Sequence, residues 1–192
     1  MNPEFGALAR QRRALLAKGV GALAAGLTAL VLSGCAGPQL ADYAGQRPGF
    51  DFKQYFNGTV RAHGLVSERG GKVLRRFVVT MRCTWAGDVG TLDEAFEYDD
   101  GERQQRIWRV QKLPDGRYSG RADDVVGTAE GAESGAAFRW QYTLRVPVRG
   151  SERELRFDDW MYRVDERTVI NRAAMHYFGV RVGEVTLSFS KP

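Results

Sequence analysis

Phe138-Arg139-Trp140-Gln141-Tyr142-Thr143-Leu144-Arg145-Val146-Pro147-Val148 places an apolar or aromatic side chain at every second position. Successive side chains of a strand point to opposite faces, so this run specifies a strand with one apolar and one wet face. Pro147 falls on the wet face near the end, which fits an edge or a bulge, because proline brings no N–H to a ladder. Working outward, Phe77, Val79, Met81, Cys83 and Trp85 alternate with Val78, Thr80, Arg82 and Thr84 in the same way.

Turn chemistry separates such runs at Arg69-Gly70-Gly71, Asp99-Asp100-Gly101, Pro114-Asp115-Gly116 and Arg149-Gly150-Ser151. Glycine supplies the positive φ that tight hairpins need. The pattern predicts strands near 55–66, 72–85, 91–99, 103–112, 117–123, 126–131, 136–148, 153–164, 168–178 and 184–190, with 126–131 the weakest. Helical periodicity of useful length is missing from this part of the chain. Consecutive antiparallel strands with one apolar face must close or pair face to face to hide their edges. The expected fold is therefore all-β, an antiparallel up-and-down, lipocalin-like barrel of about 8–10 strands; a two-sheet sandwich is the alternative.

The chain has 192 residues, with 28 Lys and Arg against 23 Asp and Glu, a formal +5 and a pI near 9.4. Such a balance invites a polyanion-binding hypothesis. Much of the excess sits in residues 1–34, where Arg10, Arg12, Arg13 and Lys18 stand against Glu4. A basic head, an apolar stretch from Val20 to Leu32 and then Leu32-Ser33-Gly34-Cys35 is the layout of a bacterial lipoprotein signal peptide. Small residues admit the peptidase, and the Cys35 thiol carries the lipid. Cys35 is the expected lipidation site, and acylation is the expected membrane attachment. Ala36, in place of aspartate, points to the periplasmic face of the outer membrane. Arg12-Arg13 also resembles a twin-arginine export signal, which leaves the export route open.

From Cys35 onward the charge is 24 basic against 22 acidic residues, nearly neutral. No nucleic-acid partner is expected. With Cys35 taken up by lipidation, Cys83 is the only cysteine left, so no intramolecular disulfide is expected, and its place on an apolar face makes it an inert buried thiol. The expected organisation is a signal peptide at 1–34, a flexible Gly/Pro/Gln/Ala-rich tether at 35–52 and a barrel domain at 53–192.

His63 and His176 lie at no metal-ligand spacing, and no metal or cofactor is expected. No nucleophile elbow, phosphate loop or dinucleotide fingerprint occurs, so the chain is expected not to be an enzyme. Asp123-Asp124 and Asp158-Asp159 are adjacent pairs in strand-like segments, so each should send one carboxylate inward and one outward. Asp159 alternates with Leu155, Phe157 and Met161, whereas Asp158 alternates with Trp160 and Tyr162. An inward carboxylate among apolar groups needs a partner, for which Arg139, Arg163 and Arg172 are available. The candidate ligand-pocket residues are Glu94, Asp124, Trp140, Tyr142, Asp159, Trp160, Asn171 and Arg172. The aromatic content suits a filled core and the wall of an apolar cavity equally.

Several of these pieces together resemble a known family. They are Leu92-Asp93-Glu94 with Phe96, Asp99-Asp100-Gly101, Gly120-x-Ala122-x-Asp124-Val125-x-Gly127, Phe157-Asp158-Asp159-Trp160-Met161, and Asn171-Arg172-Ala173 through Phe178-Gly179-Val180 to Glu184-Val185. From about Phe56 to Phe189 the chain resembles proteobacterial lipoproteins of unknown function with lipocalin-like (calycin) barrels, often encoded near cyclopropane-fatty-acid synthase. In that family a lysine often precedes the Phe-Gly; Tyr177 stands there here. The resemblance implies the barrel and a lipid neighbourhood, and carries no catalytic or ligand residue across. The expected function is an anchored lipoprotein that binds or carries an apolar ligand such as a lipid or fatty-acyl group. The alternative is a non-catalytic envelope scaffold or protein-interaction lipoprotein with a packed barrel.

Overall fold

A computed structural model describes residues 37–148 and 150–192. The expected signal peptide and Cys35 lie outside the described residues. Ten strands follow one another: β1 (Gly58–Glu68), β2 (Val73–Ala86), β3 (Val89–Tyr98), β4 (Arg103–Lys112), β5 (Tyr118–Arg121), β6 (Ala129–Ser134), β7 (Ala137–Val148), β8 (Ser151–Arg163), β9 (Thr168–Tyr177) and β10 (Val180–Ser190). Each pairs antiparallel with the next, and β1 pairs with β10 from Arg61↔Ser190 to Glu68↔Gly183. The sheet is a closed up-and-down barrel, so no edge remains to be hidden. A two-sheet sandwich is ruled out by that last pairing.

The alternation seen in sequence becomes inside and outside. Val60 and Ala62 of β1, Val79, Met81 and Cys83 of β2, Trp108 and Val110 of β4, and Leu155 and Phe157 of β8 are all buried. Burial pushes the Cys83 thiol up to about 12, which keeps it protonated and inert. Bulky rings require gaps opposite them. A Cβ at Gly131 would lie 2.0 Å from the Trp140 ring, so glycine at that position makes room for the indole.

Several boundaries differ from expectation: β10 begins at Val180 rather than 184, and β1 at Gly58 rather than 55. β6 begins at Ala129 rather than near 126, because Val125-Val126-Gly127-Thr128 belongs to the β5–β6 connection. Asp123 and Asp124 lie in that same connection, in a turn and not in a strand.

The segment from Gln39 to Phe52, expected as part of a flexible tether, packs on the barrel instead. It begins with a short 3-10 turn, Leu40–Tyr43, whose Tyr43 ring lies 5.7 Å from Trp160 and 5.5 Å from Tyr162. Phe50 is buried, and a single-turn helix α1 (Phe52–Tyr55) follows. Asp51 caps it by accepting from the Gln54 N–H at 2.8 Å. The Phe52 N–H donates to Glu133 at 2.9 Å, so this helix start is tied to β6 as well. Four residues are too few to show helical periodicity, and aromatic burial holds them in place.

The helix closes one end of the barrel as a floor. Phe52 stacks on Phe138 with ring centroids 4.4 Å apart, and Phe56 meets Phe189 edge-on at 5.4 Å. Tyr55 donates its hydroxyl proton to the Arg167 carbonyl at 2.9 Å, and the Trp85 indole N–H donates to the Phe56 carbonyl at 2.7 Å. The opposite end, ringed by the β1–β2, β3–β4, β5–β6, β7–β8 and β9–β10 hairpins, is the mouth.

Candidate functional site

Above the floor the barrel is hollow. The cavity has a volume of about 460 Å³ and is walled mainly by apolar side chains from Phe52 and Met81 at the bottom to Leu74 and Val148 at the top. That size falls within the roughly 300–1,000 Å³ of small-molecule sites. Halfway up, polar side chains interrupt the apolar wall and form a belt.

One half of the belt is centred on Arg106 of β4. Its guanidinium takes Asp124 bidentately, with Nη2 2.7 Å and Nε 2.9 Å from Oδ2 and Nε 3.1 Å from Oδ1. The same group comes only within 3.7 Å of Glu94 on β3. The fork is thus spent on Asp124, and Glu94 keeps a weaker, purely coulombic share. Burial outweighs that attraction and pushes Glu94 up to about 7; Arg106, facing two carboxylates, is held above its ordinary value.

The other half joins β7, β8 and β9. Tyr142 donates to Asp159 at 3.1 Å, and the Asn171 side-chain amide donates to the other Asp159 oxygen. Asn171 is fully buried and also donates to the Trp160 carbonyl at 3.2 Å. Its own side-chain oxygen has no hydrogen-bond partner among the described residues. Burial raises Asp159 to about 7, against the lowering effect of Asn171 and Tyr142. Without a cation alongside, desolvation dominates. Tyr142 is raised for the same reason, with Asp159 beside it.

Of the eight candidates, Glu94, Asp124, Trp140, Tyr142, Asp159 and Asn171 line the cavity. The other two do not. Trp160 faces outward, where Tyr43 covers it and Arg139 lies 4.9 Å from its ring. Arg172 is also outside, paired with Glu184 at 3.0 Å. Both occupy the parity opposite to Asp159 and Asn171, so the pleat excludes them. Arg139 partners Asp158, the outward member of its pair, at 2.6 Å, and Arg163 donates to the Gly49 carbonyl at 2.8 Å. Asp159 is paired with no arginine among the described residues.

Arg106 was missed by the sequence reading. Its signal was present: it shares the face of Trp108 and Val110, the two buried residues of β4, and an arginine on an apolar face needs a carboxylate. Among the described residues, no group of three or more His, Cys, Asp or Glu side chains could hold a metal ion.

The fold and cavity define a closed ten-strand antiparallel barrel with a polar belt set in an apolar interior. The family model described as a protein of unknown function (DUF3833) matches residues 29–191, and the chain belongs to that family. The comparison with curated proteins found no match.

Proposed function

We propose that this chain is a non-catalytic, lipocalin-like carrier, lipid-anchored through Cys35 at the periplasmic face of the outer membrane, whose barrel holds a lipid or fatty-acyl ligand. The cavity carries the proposal: its wall is mainly apolar, it is of small-molecule size, and it is open at the mouth, where Arg75, Gln104 and Arg145 join Leu74 and Val148. A packed scaffold barrel would have filled this space with side chains. The family's lipid-related gene neighbourhood, expected from the resemblance, supports the same reading.

The belt narrows the ligand. In the belt, three carboxyl groups, Glu94, Asp124 and Asp159, stand against one guanidinium, that of Arg106, while Arg75 and Arg145 line the cavity nearer the mouth. An ionised head group beside them would be repelled, whereas protonated Glu94 and Asp159 can donate to a neutral oxygen. The belt therefore suits an ester, amide or hydroxyl on an acyl chain better than a free carboxylate.

Native mass spectrometry of protein gently extracted from membranes should find a lipid mass bound one to one. A fluorescent acyl ester should bind in competition with it, and more tightly than the matching fatty acid at pH 8. A protein that carries no lipid and binds neither probe would overturn the proposal.

A further inference from the structure

The chain reaches the barrel at its floor end and is fixed there at several points. The Tyr43 hydroxyl donates to that of Tyr162 at 3.5 Å, close to the last residue of β8. The Tyr43 carbonyl lies against Gly135 in the β6–β7 hairpin, where an added Cβ would collide with it; glycine at φ 52 leaves the room. The Phe50 N–H donates to the Gly135 carbonyl at 2.6 Å, and Arg163 holds the Gly49 carbonyl at 2.8 Å. All of these partners belong to the β6–β7 hairpin or the end of β8, opposite the mouth.

Little chain separates this attachment from Cys35. Residues 35–38 and the Leu40–Tyr43 turn, stretched at about 3.3–3.6 Å per extended residue and about 2.0 Å per 3-10 residue, span at most about 22 Å. From Tyr162 to Ser151, the mouth end of β8, the wall rises about 28 Å at about 3.3 Å per residue and a tilt of about 35–45°. Even pulled straight along the wall, the connection stops short of the mouth. A lipid on Cys35 therefore cannot bring the mouth down onto the bilayer that holds it.

Given a carrier anchored through Cys35, on which this rests, we propose that the anchor holds the barrel floor-first on the outer membrane, and that ligand passes between the cavity and the periplasmic side rather than the leaflet that holds the anchor. The leaflet meets the closed end, where Phe52, Tyr55 and Phe56 are buried and α1 is tied to β6 and to the Arg167 carbonyl. The open end, where Leu74 and Val148 line the cavity, looks away from it. The short connection thus sets the direction of exchange: donors and acceptors of the acyl ligand approach from the periplasm.

The test uses the full lipidated chain in vesicles of phosphatidylethanolamine and phosphatidylglycerol, with an acceptor dye on a trace of the head groups. A donor dye is placed singly through Asp115→Cys, exposed in the β4–β5 hairpin at the floor, or Phe178→Cys at the mouth; Cys83 is buried and does not compete. Energy transfer to the membrane should be several-fold more efficient from 115 than from 178. A long Gly/Ser insert between Pro38 and Gln39 should bring the two efficiencies together. The same insert should speed loading of a fluorescent acyl ester from the chain's own vesicles several-fold, and leave loading from added donor vesicles unchanged. Transfer from 178 equal to or above that from 115 puts the barrel on its side or mouth-down and overturns the proposal. So does a native connection that loads from its own bilayer as fast as the lengthened one. Failure of the carrier reading shows separately: an ester that binds with neither connection overturns the direction of exchange, while the two labels still decide the orientation. A Cys35 without acyl groups by mass spectrometry overturns the orientation together with the anchor.

Discussion

At the floor, Phe52 stacks on Phe138 and Trp140, while at the mouth Leu74 and Phe178 stay exposed. The strands at both ends follow the same alternating code. The floor has an added segment, Phe50 to Phe56, that gives the inward rings a partner; no such segment covers the mouth among the described residues. Aromatic packing is thus concentrated at one end, and the other end is left open. Between them the belt holds carboxyl groups at a cost in solvation that a merely structural core would avoid.

Phe52→Ala should strike the comparison hardest. Removing a ring from the aromatic floor should lower unfolding stability by about 3–5 kcal/mol, read from urea denaturation. A loss below about 1 kcal/mol would mean that the floor does not hold the barrel shut.

Asp159→Asn probes the level between the ends. Asp159 is raised to about 7 from its ordinary 3.8, so the folded state binds the proton more tightly than the unfolded one. This contribution is fully present below about pH 4 and is lost as pH rises through 7. Glu94 has the same sign. The parent should therefore lose stability between pH 4 and pH 8, and Asp159→Asn should flatten that slope, gaining about 2–4 kcal/mol over the parent at pH 8. An unchanged slope would show that the carboxyl is ionised in the fold.

Gly131→Ala should cost roughly 1–3 kcal/mol through collision with the Trp140 ring, with a shift in near-ultraviolet circular dichroism. Phe178→Ser should change stability by less than about 0.5 kcal/mol, because the ring is packed against so little. A large loss of stability there would erase the contrast between the ends.

Much of the fold was legible because a strand writes its burial locally, in period two. Phe138 to Val148 and Phe77 to Trp85 became β7 and β2 with their apolar positions inward. The weak segment near 126 was misplaced because Gly127, Ala129 and Gly131 offer little side chain to alternate. The floor was missed for a related reason: a single-turn helix has no period, and Phe50 and Phe52 stood in a stretch whose composition suggested a tether. Among the pocket candidates, parity alone separated Asp159 from Trp160 and Asn171 from Arg172.

By itself, then, the sequence determined which residues form strands, where the hairpins turn and which face of each strand is apolar, since these depend on neighbours one or two residues away. Only the tertiary structure decided that β1 closes on β10, that the interior stays hollow, and that Arg106 reaches Asp124 while Asp159 meets Tyr142 and Asn171. Those outcomes depend on strand register and on how many strands share the circumference, and register joins residues that the chain itself keeps far apart.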